Sequence, residues 1–493
     1  MKLARVVIPA LLSAACATSG APLSPRANDA RAALRFAIDS MVRQPQFRDA
    51  QFGVLIVDPD RGDTLYSLNA GKLFMPASNM KIVTAATSLV QLGPDYTFHT
   101  DFAASGPVVH DTLEGALIVN GRGDPTISDH MRGSAMNPLY DVADSLKAHG
   151  VTTIARGIQA GPDIFPDTTI GFGWSWDDLG EDYGAGVDAL YFNEGFGTVI
   201  AYGKAGMQPD SIRTFPVHSY PMIDFSASSP PASPDTFALR LDFDSTRTHF
   251  TARGRLKTSV DTLIYVFPDQ REAYLAALTE ALRTRGIVVA GGEIHSPRAG
   301  DKPTSVTPLF SIHSLPLRAI LPALLKPSQN QIAEILYKTL GLEKTGVGSA
   351  DSGRVVLERQ LALWGAQPDG YLIRDGSGLS RYGYLSPETL VRVLDRIRSD
   401  SAFHVFYDAL PIAGLDGSLR NRMKGTAAAG KIHAKTGSVA NARSLSGYAL
   451  TADNHMLIFS LLANNWITSQ AAVDSVHNRI AVMLASLELR NAH

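Results

Sequence analysis

Ser78-Asn79-Met80-Lys81 places a hydroxyl and an amine three residues apart. On a helix that spacing sets both side chains on one face, one turn from each other. A deprotonated lysine there can take the proton of the serine and make it a nucleophile. The N-terminus of a helix would add favourable partial charge near the point of attack. Ser78 is the only serine in the chain followed by lysine at this spacing. Alone, the pair is better read as a serine N-cap beside a solvated lysine.

Two further groups suit acyl transfer. Ser328-Gln329-Asn330 offers a hydroxyl and an amide in a loop between two helical stretches. Ser67-Leu68-Asn69 has the same form but lies in a hairpin strand, and is read as surface. Lys435-Thr436-Gly437 ends a strand and is followed by a returning strand and a helix. A lysine, a hydroxyl and a glycine on an edge strand suit an extended substrate that terminates in a carboxylate. Lys344-Thr345-Gly346 repeats the letters just past a helix with no strand partner, and is read as a helix C-terminal turn.

The elements that must position these groups can be read around them. Residues 30–43 have helical periodicity. Residues 52–57 and 64–68 form a hairpin across the turn 58–63. A helix runs from near Ser78 to Leu92 and stops at Gly93-Pro94. From about 98 to 304 the texture changes to short strands, such as 115–119, among Gly- and Pro-rich turns, with a loop at 226–235. An amphipathic helix at 269–285 precedes a strand at 286–290. Helices follow at 315–325 and 331–342. The end of the chain reads as a strand at 430–435, a hairpin of 446–450 with 455–463, and a helix at 469–487. No repeat of 20–50 residues occurs.

S-x-x-K, S-x-N and K-T-G, in this order, are the motif set of penicillin-binding proteins and serine β-lactamases. Other stretches narrow the resemblance. Gly121-Arg122-Gly123-Asp124-Pro125-Thr126, Asp375-Gly376-Ser377-Gly378-Leu379-Ser380-Arg381 and Leu410-Pro411-Ile412-Ala413-Gly414-Leu415-Asp416-Gly417-Ser418-Leu419 resemble the corresponding stretches of the D-alanyl-D-alanine carboxypeptidase/endopeptidase family, the class C or penicillin-binding protein 4 type. Ser418 stands where that family has threonine. The similarity runs over nearly the whole mature chain and is weakest at about 190–260.

The resemblance implies an α/β (α+β) fold: a β-lactamase/transpeptidase-like domain, an antiparallel sheet flanked by helices, split by a large inserted domain that carries a smaller β-rich insert. The expected division is 18–97 plus 305–493 for the peptidase domain, 98–185 plus 259–304 for the inserted domain, and 186–258 for the nested insert. About 250 residues separate Lys81 from Asn330, which fits such an insertion. By the same resemblance Ser78 is acylated and Lys81 is its base. Lys435 keeps Lys81 neutral by repulsion, Ser328 relays a proton to the leaving amine, and Asn330 holds the peptide amide. The backbone N–H groups of Ser78 and Ser438 form the oxyanion hole. Lys435, Thr436 and Ser438, with Gly437 beneath them, hold the terminal carboxylate. Peptidoglycan peptides are the expected substrates and β-lactams the covalent inhibitors, with no metal or organic cofactor.

Two alternatives remain open on the residues alone. A β-lactamase or esterase on the same fold needs a dedicated deacylating base, and a large insert argues against it. A silent cell-wall binding protein would not need every motif residue.

Composition limits the rest. Of 493 residues, 45% are apolar and 19% charged, with a net charge of −2. Such a chain forms large cores and lacks the basic surplus of a nucleic-acid binder. H-E-x-x-H, P-loop and dinucleotide motifs are absent. Lys2 and Arg5, the apolar stretch 6–12 and the small residues 13–17 read as an export leader over 1–17. Cys16 is the only cysteine, so no internal disulfide can form. It sits where a lipoprotein leader carries its lipidated cysteine, although Ser13 replaces the usual leucine, and ordinary cleavage after Ala17 fits as well. Either way the protein is exported to the periplasm. Any membrane attachment runs through a lipid on Cys16.

Overall fold

A computed structural model describes residues 25–216, 220–225, 239–243, 249–290 and 306–489. The expected leader, Cys16 and the loop at 226–235 lie outside the described residues.

The central element is a five-stranded antiparallel sheet. Its strands are β1 (Gln51–Asp58), β2 (Asp63–Leu68), β3 (Ile432–Val439), β4 (Ala442–Leu450) and β5 (Met456–Asn464), in the spatial order β3-β4-β5-β1-β2. The first hairpin and the last three strands thus meet across β1 and β5, joining the two ends of the sequence. Val54 and Ile56 point to one face and Leu55 to the other, as strand geometry requires. On one face lie α1 (Pro25–Val42) and α7 (Gln470–Ser486) over Ile38, Val473, Leu445 and Phe459. The other face packs on α2 (Met80–Leu92), α3 (Leu317–Leu325), α4 (Asn330–Thr345), α5 (Ala350–Leu363) and α6 (Pro387–Arg398).

Helix α2 is buried from Met80 to Leu89, and ends at Gly93, whose φ of 87° takes it out of helical geometry. Gly346, with φ 82°, caps α4 in the left-handed conformation, so Lys344-Thr345-Gly346 is the helix terminus that the sequence implies. The strand containing Lys435 extends to Val439, farther than its apolar pattern suggests, so Lys435-Thr436-Gly437 lies within the edge strand and not at its end. Asn330 opens α4 instead of lying in the preceding loop. The expected strand at 286–290 is reduced to Val288–Val289, and that at 115–119 falls at Leu117–Asn120.

Residues 99–313 contribute separate sheets and a separate core. One sheet has the order Thr307–His313, His99–Ala104, Leu117–Asn120, Ile158–Ala160. With helices Asn137–Ala148 and Gln270–Thr284 it encloses Phe102, Leu117, Val119, Leu139 and Leu278. A three-stranded sheet pairs Phe196–Gly203 with Pro209–Phe215 and Val260–Val266. Another joins Met222–Phe225, His249–Arg253 and Arg240–Phe243. Arg122 ties this region to α4 through Glu343 at 2.9 Å. Within the same turn Asp124 accepts hydrogen bonds from the N–H and hydroxyl of Thr126, both at 2.7 Å. Among the described residues no helix is long and apolar enough to cross a membrane.

Candidate active site

Ser78 sits in a single 3-10 turn, Ala77–Asn79, that leads into α2, one step before regular helix begins. Ala77, just before it, has φ +46°, and Ser328 has φ +69°. Left-handed backbone at residues other than glycine costs about 1–3 kcal/mol each and persists only where the surroundings impose it. Gly378 is part of those surroundings. A Cβ at Gly378 would lie 1.9 Å from the Ala77 carbonyl oxygen, and its φ of +81° also excludes most side chains. On the other side β3 presses against the turn at Gly437, where a Cβ would stand 2.0 Å from Ser444 Oγ and 3.0 Å from the Ser78 backbone nitrogen. Asn79 Nδ2 donates to the Lys435 carbonyl at 2.9 Å, and Ser444 Oγ to the Pro76 carbonyl at 2.7 Å. The nucleophile turn is therefore clamped between the D-G-S-G turn and the edge strand.

Lys81 is fully buried. Its Nζ donates to Ser78 Oγ at 2.9 Å, to Asn330 Oδ1 at 2.5 Å and to the Ser377 carbonyl at 2.9 Å. Burial lowers its pKa to about 7, against the opposing pull of Asp375 and Glu334. Burial thus favours the neutral amine, the form that can accept the Ser78 proton. Lys435, also fully buried, donates from Nζ to Ser328 Oγ and to the Thr436 carbonyl, both at 2.8 Å. Burial, and then repulsion from Lys81, holds its pKa well below the ordinary lysine value. Coulomb repulsion between the two buried amines acts on both, and each disfavours the charged form of the other. Whichever amine of the pair protonates second bears the penalty.

The three motifs meet at one cleft of about 760 Å³, lined by Ser78, Ser328, Asn330, Thr436 and Ser438 among others. Asn330 donates from Nδ2 to the Tyr183 carbonyl at 2.7 Å, so both ends of its amide have protein partners here. Ser418, from the stretch with serine in place of threonine, shares a 2.6 Å hydrogen bond with Thr436 Oγ1. Its neighbour Asp416 forms a 2.6 Å ion pair with Lys326, just before the Ser328 loop.

Glu334, Asp178 and Arg443 at the site carry no sequence signal, whereas Asp375 and Arg381 lie in the stretch that carries the family resemblance. Glu334, on α4, accepts the N–H groups of Gly376 at 3.1 Å and Ser377 at 2.7 Å. Burial lifts its pKa to about 7, and raises that of Asp375 beside it. Asp375 in turn accepts the N–H groups of Gly378 and Ser380, at 2.9 and 2.7 Å. Arg381 and Asp178 face each other at 3.2 Å on the cleft wall. Arg443 lines the same cleft.

Comparison with known proteins identifies the family of the chain. A D-alanyl-D-alanine carboxypeptidase from an Actinomadura species is 32% identical over 466 residues, covering 92% of this chain and 84% of that protein. The carboxypeptidase DacB of Haemophilus influenzae is 26% identical, covering 84% of this chain and 86% of that one. The crystal structure of penicillin binding protein 4 from Haemophilus influenzae superposes with a TM-score of 0.76 at 22% identity, over 91% of this chain and 99% of that one, and shares the fold. Residues 34–487 match the model of the D-Ala-D-Ala carboxypeptidase 3 (S13) family, and the chain belongs to that family.

Proposed function

We propose that the protein is a serine D-alanyl-D-alanine carboxypeptidase/endopeptidase that acts on peptidoglycan peptides through an acyl-enzyme on Ser78, and that β-lactams inhibit it by the same acylation. The observation that carries this reading is the contact of Lys81 Nζ with Ser78 Oγ at 2.9 Å inside a buried, polar site. The family match and the carboxypeptidase named among the relatives support it. So does the Haemophilus influenzae structure solved with a bound β-lactam, as evidence on the fold's chemistry in that protein.

In the mechanism, neutral Lys81 takes the Ser78 hydroxyl proton as Oγ attacks the carbonyl carbon of the penultimate D-alanine. The carbonyl oxygen becomes an oxyanion facing the N–H groups of Ser78 and Ser438. Donors so placed contribute about 3 kcal/mol each. The C–N bond breaks. The leaving amine receives, through Ser328, the proton that Lys81 took, which returns Lys81 to the neutral form; Lys435 holds Ser328 at 2.8 Å. Departing D-alanine leaves an ester on Ser78, and water, deprotonated by the lysine again, hydrolyses it. Asn330, anchored to Lys81 and to the Tyr183 carbonyl, positions the lysine and borders the peptide amide. Thr436 and Ser438 face the terminal carboxylate.

The division 18–97 plus 305–493, 98–185 plus 259–304, and 186–258 is proposed for the domains. Strand pairing crosses these boundaries at two places, His99–Ala104 with Thr307–His313 and Phe196–Gly203 with Val260–Val266. Export to the periplasm and a lipid on Cys16 are also proposed. An intact-mass measurement of the mature protein tests the lipid, and an N-terminus at Thr18 or later rules it out.

The deciding experiment treats purified protein with a fluorescent penicillin and with an acyl-D-alanyl-D-alanine peptide. A stable label on Ser78 together with D-alanine release supports the peptidase. Rapid turnover of the penicillin would indicate a β-lactamase, and absence of both reactions a binding protein.

A further inference from the structure

We infer that Arg443 is the fixed cation of the carboxylate-binding end of the cleft, acting through Ser438 to select substrates that end in a free carboxylate. The inference rests on the serine-peptidase reading above.

Arg443 lies on β4 directly opposite Ser438 in the register of the edge pair. Both line the cleft that contains Ser78 and Ser328. Arg443 Nη1 donates to Ser438 Oγ. That bond occupies a lone pair of the hydroxyl and leaves its own proton free to point into the cleft, as a donor for an anion. A guanidinium behind a hydroxyl donor also places positive charge one atom further from the ligand.

The guanidinium is rigidly held. Arg443 is 6% exposed, and Nη1 also reaches the Ala442 carbonyl at 3.3 Å. Its Nε faces Asp474 at 3.9 Å, and Arg422 Nη1 faces the same carboxylate at 3.6 Å. Two guanidinium groups thus share one carboxylate, leaving a surplus of positive charge under the end of β3. His477, buried beside them, adds no charge, because burial and the two arginines push its pKa down to about 3.

Lys435 is poorly suited to be that permanent cation. Its amine is already bonded to Ser328 and to the Thr436 carbonyl, and it competes with Lys81 for a proton. An arginine stays charged at every pH at which the enzyme works. The two functions therefore separate along the strand: Lys435 serves the proton traffic at Ser328, and Arg443 serves the anion at Ser438.

The test uses an acyl-D-alanyl thioester that ends in a free carboxylate and the same thioester ending in a carboxamide, with thiol release read for each. The ratio of kcat/KM values within one variant is independent of the folded fraction. Wild-type protein should prefer the carboxylate. Arg443→Gln should lose about ten- to a hundredfold of that preference, the range for a hydrogen bond to a charged group, with the carboxamide rate little changed. Arg443→Lys, which keeps the charge and guards against loss of fold, should retain part of it. An unchanged ratio in Arg443→Gln, or an equal fall in both rates, would overturn the inference. Labelling of Ser78 by a fluorophosphonate, which has no carboxylate, separates the two levels. Wild-type protein that is labelled but cleaves neither thioester overturns the peptidase reading itself.

Discussion

Glu334 accepts the Ser377 backbone N–H at 2.7 Å, and the Ser377 carbonyl accepts Lys81 Nζ at 2.9 Å. One residue thus links a buried acid to the lysine beside Ser78. The acid fixes the carbonyl in place and also favours the charged form of the lysine by Coulomb attraction.

This arrangement sets a pH dependence. Acylation needs neutral Lys81, whose pKa is about 7. The rate of acylation by a β-lactam should therefore rise with pH through about 7 and level off above it. Glu334→Gln removes a charge that raises the lysine pKa, so the rising limb should move to lower pH. An opposite movement, or an unmoved limb with only a lower plateau, would reduce Glu334 to a scaffold.

The nucleophile has the simplest test. Ser78→Ala should lose both penicillin labelling and D-alanine release while keeping the melting temperature within a few degrees, since one hydroxyl contributes only about 1 kcal/mol. Mass spectrometry that finds the adduct of the wild-type protein on another serine would end the assignment.

The motifs of this site were legible because their signals are local. Ser78 and Lys81 are one helical turn apart, and Gly346 marks the second K-T-G as a helix terminus by its own chemistry. The D-G-S-G stretch was visible as a resemblance without a role. Its role appears only where Gly378 meets the Ala77 carbonyl, a contact between segments about 300 residues apart. Glu334 and Arg443 gave no signal at all. A glutamate on a helix and an arginine on a strand are ordinary surface residues until tertiary packing buries them. The amphipathic pattern of α4 and β4 reports which face is apolar, not which polar group faces a lysine or a serine across the site.

Gly378→Ala tests the clamp on the nucleophile turn. The new Cβ would meet the Ala77 carbonyl oxygen at 1.9 Å and would also sit on a left-handed backbone. Backbone cannot yield as a flexible side chain does, so a loss of about 2–4 kcal/mol of stability is expected. Acylation should slow as well, since Ala77 precedes Ser78. Normal acylation in a protein that remains folded would show that the turn holds its shape without Gly378.

The last prediction sets Lys435 against Lys344. The two lie in identical tripeptides, yet Lys435 is fully buried on the edge strand and bonded to Ser328, while Lys344 is exposed in the last turn of α4. Lys435→Ala removes the donor that holds Ser328 and empties a buried volume beside Lys81. A hydrogen bond of that kind contributes about 1.5–3 kcal/mol, or about ten- to a hundredfold in acylation rate. Lys344→Ala removes a solvated charge and should stay within about 0.5 kcal/mol of wild-type stability, with acylation unchanged. Rates with a chromogenic β-lactam decide between them. A crippled Lys344 variant beside a normal Lys435 variant would mean that the edge strand does not carry the third motif, and that the cleft described here is not where acylation occurs.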